Sequence, residues 1–375
     1  MKFSNQGSPK MRFSRVISAF AFYLGCSSAW AIEPIIRPFL STRSVGMGGV
    51  IMTTGLYEEN FFSNPARVTA NPESKLTLFD LSAETNSNTL NAISQTNGTL
   101  ANILNKQAGK NLHQRMQIVL PAWYLAANDD RRFAIAFGII AGGQSNITLS
   151  NNFNSSGALI ADIGPALTFG YKVLHDESLS IGMTLHGSYR FSVNGAVSLI
   201  DLIRGSNANL SSLANEGAMY NLDLGVMYRF LQLGAWEFHA GLAGQNLLGG
   251  AFNTIPVSLA KIPSSPIQQP RSAGVGVSVV RQEWGFLSDS VIALEASDLF
   301  NNASGSFFRL LHLGLETHWK SLALRMGLNQ GYWTAGLGLD VHYFTLNLAS
   351  YGEELGLNAG QQEDRRYTLG MGIHF

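Results

Sequence analysis

Apolar residues alternate with polar or small ones in segment after segment of this chain, a period of two that separates the two faces of an extended strand. Between Leu179 and Ser192, residues Leu179, Ile181, Met183, Leu185, Tyr189 and Phe191 share one face, and Ser180, Thr184, His186, Ser188 and Arg190 the other. Tyr220 to Phe230 and Trp333 to Val341 repeat the pattern. These runs reach 10 to 14 residues. An ordinary soluble strand has about 5–6, whereas a tilted bilayer crossing needs about 9–11.

Read this way, the chain predicts fourteen strands, beginning near residues 75, 115, 133, 158, 179, 218, 236, 271, 290, 308, 322, 332, 344 and 366. The connections alternate. Short ones fall at Asn128 to Arg132, His175 to Ser178, Gln232 to Ala235 and Lys320-Ser321. Long ones fall at Glu84 to Gln114, Gly142 to Gly157, Asn194 to Gly217, Leu248 to Pro270 and Gly352 to Arg365, while Asn329 to Gly331 is short where a long one is expected. Short turns on one side and long loops on the other are the signature of a transmembrane β-barrel rather than a sandwich. Trp236, Trp284, Trp319 and Trp333 lie at or beside strand ends, as an interfacial aromatic girdle requires. The last strand alternates through Tyr367, Leu369, Met371 and Ile373 to a terminal Phe375, which resembles the signal that outer-membrane barrels present to their assembly machinery.

Composition sharpens this reading. Charged residues make up 13%, the 39 glycines are many, and the net charge is zero, against about 25% charged residues in a typical soluble domain. A neutral chain offers no basic face for nucleic acid. Arg12 and Arg15, the apolar run Val16 to Gly25 and the small-x-small site Ala29-Trp30-Ala31 read as a signal peptide over residues 1–31, with Met11 an alternative start. The single cysteine, Cys26, falls within it; Leu24-Gly25-Cys26-Ser27 is the competing lipoprotein reading. A mature chain cut after Ala31 has no thiol for disulfide or thiolate chemistry.

Before the first strand lies Arg43 to Ala66, with Gly46, Gly48 and Gly49 among small and apolar residues and a stiff Asn64-Pro65-Ala66 turn at its close. Such a segment can lie close against a surrounding wall. Ser44-Val45-Gly46-Met47-Gly48-Gly49, the acidic pair Glu58-Glu59 and Asn64-Pro65-Ala66 resemble the FadL-like superfamily of outer-membrane barrels, the long-chain fatty-acid transporters. Their spacing is nearer the shorter PorV-like and UPF0164-type members. The resemblance implies an N-terminal hatch over residues 32–72 inside a fourteen-stranded barrel spanning residues 73–375. Two departures stand out: Arg67-Val68 follows the Asn-Pro-Ala turn where the family has glycine and leucine, and glutamates replace its usual aspartates.

On the polar strand faces, His186, Arg190, Asp223, Arg229, Glu295, Glu316 and Arg325 are expected to point into the lumen, either pairing to fix the hatch or meeting a ligand. His312, Glu316 and His318 share a strand face without the three or four converging ligands that a metal needs. No Gly-x-Ser-x-Gly elbow, phosphate loop or dinucleotide fingerprint occurs, so neither an enzyme nor a cofactor is expected. Helical spacing in two long connections, Leu90, Ile93, Leu100, Ile103 and Leu104 in one and Leu199, Leu202, Ile203, Leu210 and Leu213 in the other, is expected to pack over the barrel mouth. The sum is an all-β, monomeric outer-membrane barrel. Its expected role is passive uptake of hydrophobic or amphipathic small molecules such as fatty acids; the alternative is a PorV-like scaffold that binds a secretion partner. Outer-membrane lipid and the barrel assembly machinery complete the expected partners.

Overall fold

The computed structural model describes residues 39–94, 106, 108–149, 154–174, 176–198, 214–255 and 264–375. The expected signal peptide, most of the first expected helical stripe beyond Ser94 and the second stripe, expected over Leu199 to Leu213, lie outside them.

The strands are β1 (Lys75–Asn86), β2 (Asn111–Leu125), β3 (Phe133–Leu149), β4 (Asn154–Lys172), β5 (Leu179–Ser198), β6 (Ala214–Leu233), β7 (Trp236–Gln245), a two-residue β8 (Asn253–Thr254), β9 (Ser272–Trp284), β10 (Leu287–Ala296), β11 (Leu311–Trp319), β12 (Leu322–Asn329), β13 (Tyr332–Val341), β14 (Phe344–Glu354) and β15 (Glu363–His374). Each pairs antiparallel with its neighbour. β1 also pairs with β15, from Thr77 opposite His374 to Asn86 opposite Arg366, and this pairing closes the ring. β8 only caps β6 at Gly217 and Ala218. The barrel proper therefore has fourteen strands, as the alternation predicts.

Alternation also puts the side chains where expected. Along β5, Ile181, Met183 and Leu185 are exposed outward, while Ser180, Thr184, His186 and Arg190 are buried inward. Leu324, Leu337 and Leu348 stand side by side on β12, β13 and β14, 45%, 56% and 48% exposed. Water would not tolerate so many large apolar side chains in one belt, and lipid does. The protein is thus a bacterial outer-membrane barrel, with its short turns on the periplasmic side. Trp236 and Trp284 meet edge-to-face at that side, their ring centres 5.8 Å apart, and Trp319 also ends its strand there.

Strand takes up most of one expected long loop and both ends of another. β3 runs to Leu149 and β4 starts at Asn154, so Gly142 to Gly157 is mostly hairpin; likewise β5 continues to Ser198 and β6 starts at Ala214. The sequence hides these extensions because both faces of a strand are wet above the membrane, and polar residues then satisfy either one. Lengths range from 8 residues in β12 to 20 in β5 and β6, so the wall rises highest over β3–β6. The first helical loop does form a helix, α1 (Ser87–Ser94). Its Leu90 and Ile93 are exposed rather than packed over the mouth.

Inside the ring lies residues 39–71. A short helix spans Thr42–Gly46 and is capped by Ser41, whose hydroxyl accepts from Ser44 N at 2.9 Å. Two 3-10 turns follow, Tyr57–Phe61 and Pro65–Ala70. The segment meets small inward side chains: Phe39, Phe61 and Val68 pack on Val119, Ala122, Ala134, Ala136 and Ala166, and Met47 and Val50 on Val291 and Ala293. The closest approach is backbone on backbone. A Cβ added at Gly48 would sit 2.2 Å from the Leu313 carbonyl oxygen, and one at Gly314 would sit 2.2 Å from that of Met47.

Candidate functional site

Polar groups from around the ring hold the N-terminal segment. Thr334 Oγ1 accepts from Gly48 N and donates to the Gly46 carbonyl, both at 2.9 Å. His312 donates from Nδ1 to the Gly48 carbonyl at 2.8 Å, which leaves Nε2 to accept from Ser297 Oγ at 2.8 Å. Glu295 Oε2 accepts from Ile51 N and Met52 N at 2.6 and 2.8 Å. Asn64 Nδ2 bridges Met52 O and the β6 carbonyl of Val226, each at 3.0 Å, and its Oδ1 accepts from Ala66 N. Pro65 and Ala66 lie against Gly182 of β5, where an added Cβ would be 2.4 Å from Ala66 N.

The charged fastening is a chain of four. Arg43 reaches Glu59 within the segment at 2.8 Å and Glu316 on β11 at 2.9 Å, and Glu316 in turn takes Arg325 of β12 at 3.0 Å. All four side chains are largely buried, so their charges are compensated by one another and not by bulk water. Glu59 also receives the Ser41 hydroxyl and Leu56 N. Burial, reinforced by the Arg43 charge, lowers the Arg67 pKa to about 10, which leaves it a cation at pH 7.

The expected lumen residues thus divide three ways. Glu295, Glu316 and Arg325 fasten the segment. His186, Arg190 and Asp223 line a cavity described below. Arg229 is at neither place: it lies at the periplasmic rim, half exposed, donating to the Asp176 carbonyl at 2.7 Å beside Glu237. Arg229 pairs with His239, and the register of β6 shifts just beyond it, before Leu231. Of His312, Glu316 and His318, the last two do meet, His318 Nε2 lying 3.5 Å from Glu316 Oε1, while His312 turns away to Ser297 and Gly48.

Between the segment and the wall from β2 round to β10 is a cavity of about 100 Å³. Its apolar side includes Phe39, Ile51, Met52, Phe62, Ile140 and Ile160. Its polar side includes His186, with Nε2 3.3 Å from Asp223 Oδ1, and Arg190, which takes Asp162 in a two-pronged pair at 2.7 and 2.6 Å. Arg190 also donates to Ile267 O and Gln269 Oε1 and stacks on Phe252 at 4.6 Å, tying the 246–271 connection across the cavity.

The cavity reaches the wall at Gly164, Pro165 and Gly187. Here the β4–β5 ladder skips from Ile163 opposite Tyr189 to Ala166 opposite His186. Proline has no N–H to give, and an added Cβ at Gly164 would fall 1.9 Å from the Gly187 oxygen, so the strands touch with no side chain between them. The β1–β2 ladder skips in the same way, from Thr77 opposite Ala122 to Asp80 opposite Val119, but none of those four residues lines the cavity.

Sequence reasoning named Arg43 as the start of the segment and Glu59 in its acidic pair but gave neither a partner, and it missed Thr334, Asp162 and a second buried cluster of Glu84, His113, Arg115, Tyr351 and Arg366. Asp162 had a signal, a lone charge at an inward position of an alternating run. Glu84 lay concealed at what reads as a loop boundary.

The fold has known counterparts. The toluene transporter TbuX of Ralstonia pickettii superposes with a TM-score of 0.50 at 12% identity, covering 90% of this chain and 98% of that one. A TodX monoaromatic hydrocarbon channel carrying the deltaS2 mutation superposes with a TM-score of 0.50 at 10% identity, covering 89% and 97%. Both are FadL-family barrels of fourteen strands, so the fold expected from the resemblance is the one observed. No protein-family model matches the sequence. No curated protein matches it either.

Proposed function

We propose that this protein is a passive outer-membrane channel for hydrophobic small molecules, with residues 39–71 acting as its hatch. The observation that carries the reading is the cavity above the segment, apolar on one side, which ends at the side-chain-free seam between β4 and β5. A ligand descending from outside enters the cavity, is held by Phe39, Phe62 and Ile140, and leaves sideways where the ladder is broken. No energy source is needed, because the membrane interior is itself the sink for an apolar solute. TbuX and TodX, described as a toluene transporter and a monoaromatic hydrocarbon channel, support hydrophobic solutes as the class. The terminal Phe375 on β15 is the proposed contact for the barrel assembly machinery.

A disulfide staple tests this. The mature chain has no cysteine once the signal peptide is removed, so the double substitution Ile163→Cys and Tyr189→Cys puts a thiol pair across the seam on facing residues. Oxidised, this variant takes up a hydrophobic solute such as toluene no faster than a deletion strain; reduced, it recovers the wild-type rate. Uptake that ignores the staple refutes the lateral route, and a deletion strain with normal uptake of every hydrophobic solute tried refutes the channel.

A further inference from the structure

We propose that the cavity selects uncharged hydrophobic molecules and turns away carboxylate amphiphiles. This rests on the channel reading above and narrows its substrate class. Among the described residues that line the cavity, three are carboxylates, Asp162, Asp223 and Glu295, and two are permanent cations, Arg115 and Arg190; none is lysine. Neither cation is available to a ligand. Arg190 spends four of its N–H groups on Asp162, Ile267 O and Gln269, with a phenyl ring over its plane. Arg115 donates twice to Gln144 Oε1, at 3.2 and 2.9 Å, and its Nη1, which makes no hydrogen bond, is buried facing Glu84 at 3.5 Å.

A fatty-acid anion entering this space loses water from its head group and gains no cation in return, and it meets a lining whose carboxylates outnumber its arginines by three to two. An alcohol of the same chain length has no such penalty and can donate its hydroxyl proton to a carboxylate or to an amide oxygen. Arg190 is the one group whose behaviour is set by a single replaceable neighbour. Asp162 keeps it neutralised, and 24% exposure of the Asp162 side chain leaves room for an isosteric amide.

The test is displacement of a neutral fluorescent naphthylamine dye from the full-length protein in amphipol at pH 8, by decanol and by decanoate. Decanol is expected to displace the dye at a concentration about tenfold or more below that of decanoate. Asp162→Asn uncovers the Arg190 charge and is expected to narrow the preference for decanol over decanoate by about tenfold, through stronger decanoate binding. Glu295→Gln, which keeps an oxygen for Ile51 N and Met52 N, moves decanoate in the same direction. Retained heat-modifiable migration in gels shows that each variant is folded. Decanoate matching decanol in the wild type, or no gain in the folded Asp162→Asn and Glu295→Gln variants, overturns the selectivity. Failure of both compounds and of the dye to bind overturns the channel reading instead.

Discussion

Gly48→Ala separates the N-terminal segment from the barrel around it more cleanly than any other single change. Gly48 has φ +73°, and its missing Cβ leaves the space taken by two wall carbonyls, with Leu313 O at 2.2 Å and Leu328 O at 2.7 Å. Alanine there meets two costs. The left-handed backbone costs an L-residue about 1–2 kcal/mol. The methyl group forces the segment or the wall to shift, an overpacking cost of about 1–3 kcal/mol. Taking the middle of the summed range, about 3.5 kcal/mol shifts the docked-to-undocked ratio roughly 370-fold. The barrel ladders do not pass through Gly48, so the ring itself survives. Docking can be read from a disulfide between Thr42→Cys and Thr368→Cys, whose native hydroxyl oxygens lie 3.0 Å apart. Gly109→Ala is the control: φ there is +76° with nothing within 4 Å of an added Cβ. The expected result is a large fall in crosslink yield for Gly48→Ala, none for Gly109→Ala, and heat-modifiable migration in both. Equal yields for wild type and Gly48→Ala would refute the claim that glycine-to-carbonyl contact seats the segment.

Glu316→Gln leaves Arg43 and Arg325 facing one another without a carboxylate between them, and removing one partner of a buried pair typically costs about 3–5 kcal/mol. The same crosslink is expected to weaken, and Arg43→Met together with Glu316→Gln is expected to recover part of the loss. Leu337→Arg puts a charge in the centre of the outward belt and is expected to cost about 2–4 kcal/mol in urea unfolding from lipid vesicles. Leu357→Arg, in the outer connection between β14 and β15, is expected to cost close to nothing in the same assay, since its side chain lies beyond the belt.

Period-two alternation alone determined the strand number, the outward and inward faces and the site of the short turns. It could do so because lipid outside and packed polar groups inside impose opposite demands on successive residues. Most strand starts fall within four residues of where the pattern puts them, and the misplaced boundaries of β3–β6 lie where the strands leave the membrane and that opposition ends. The glycines at 46 and 48 and the Asn64-Pro65-Ala66 turn marked the segment that the ring encloses. Only the closed structure decided which inward side chains meet. Glu316 finds Arg43 across 273 residues of sequence, and His312 finds the Gly48 carbonyl across 264. Arg190 could equally have been a ligand's cation until the ladder set Asp162 opposite it. Spacing along a strand fixes the face on which a residue lies, and closure of the barrel fixes its neighbours, because pairing partners are chosen by register between strands far apart in the chain.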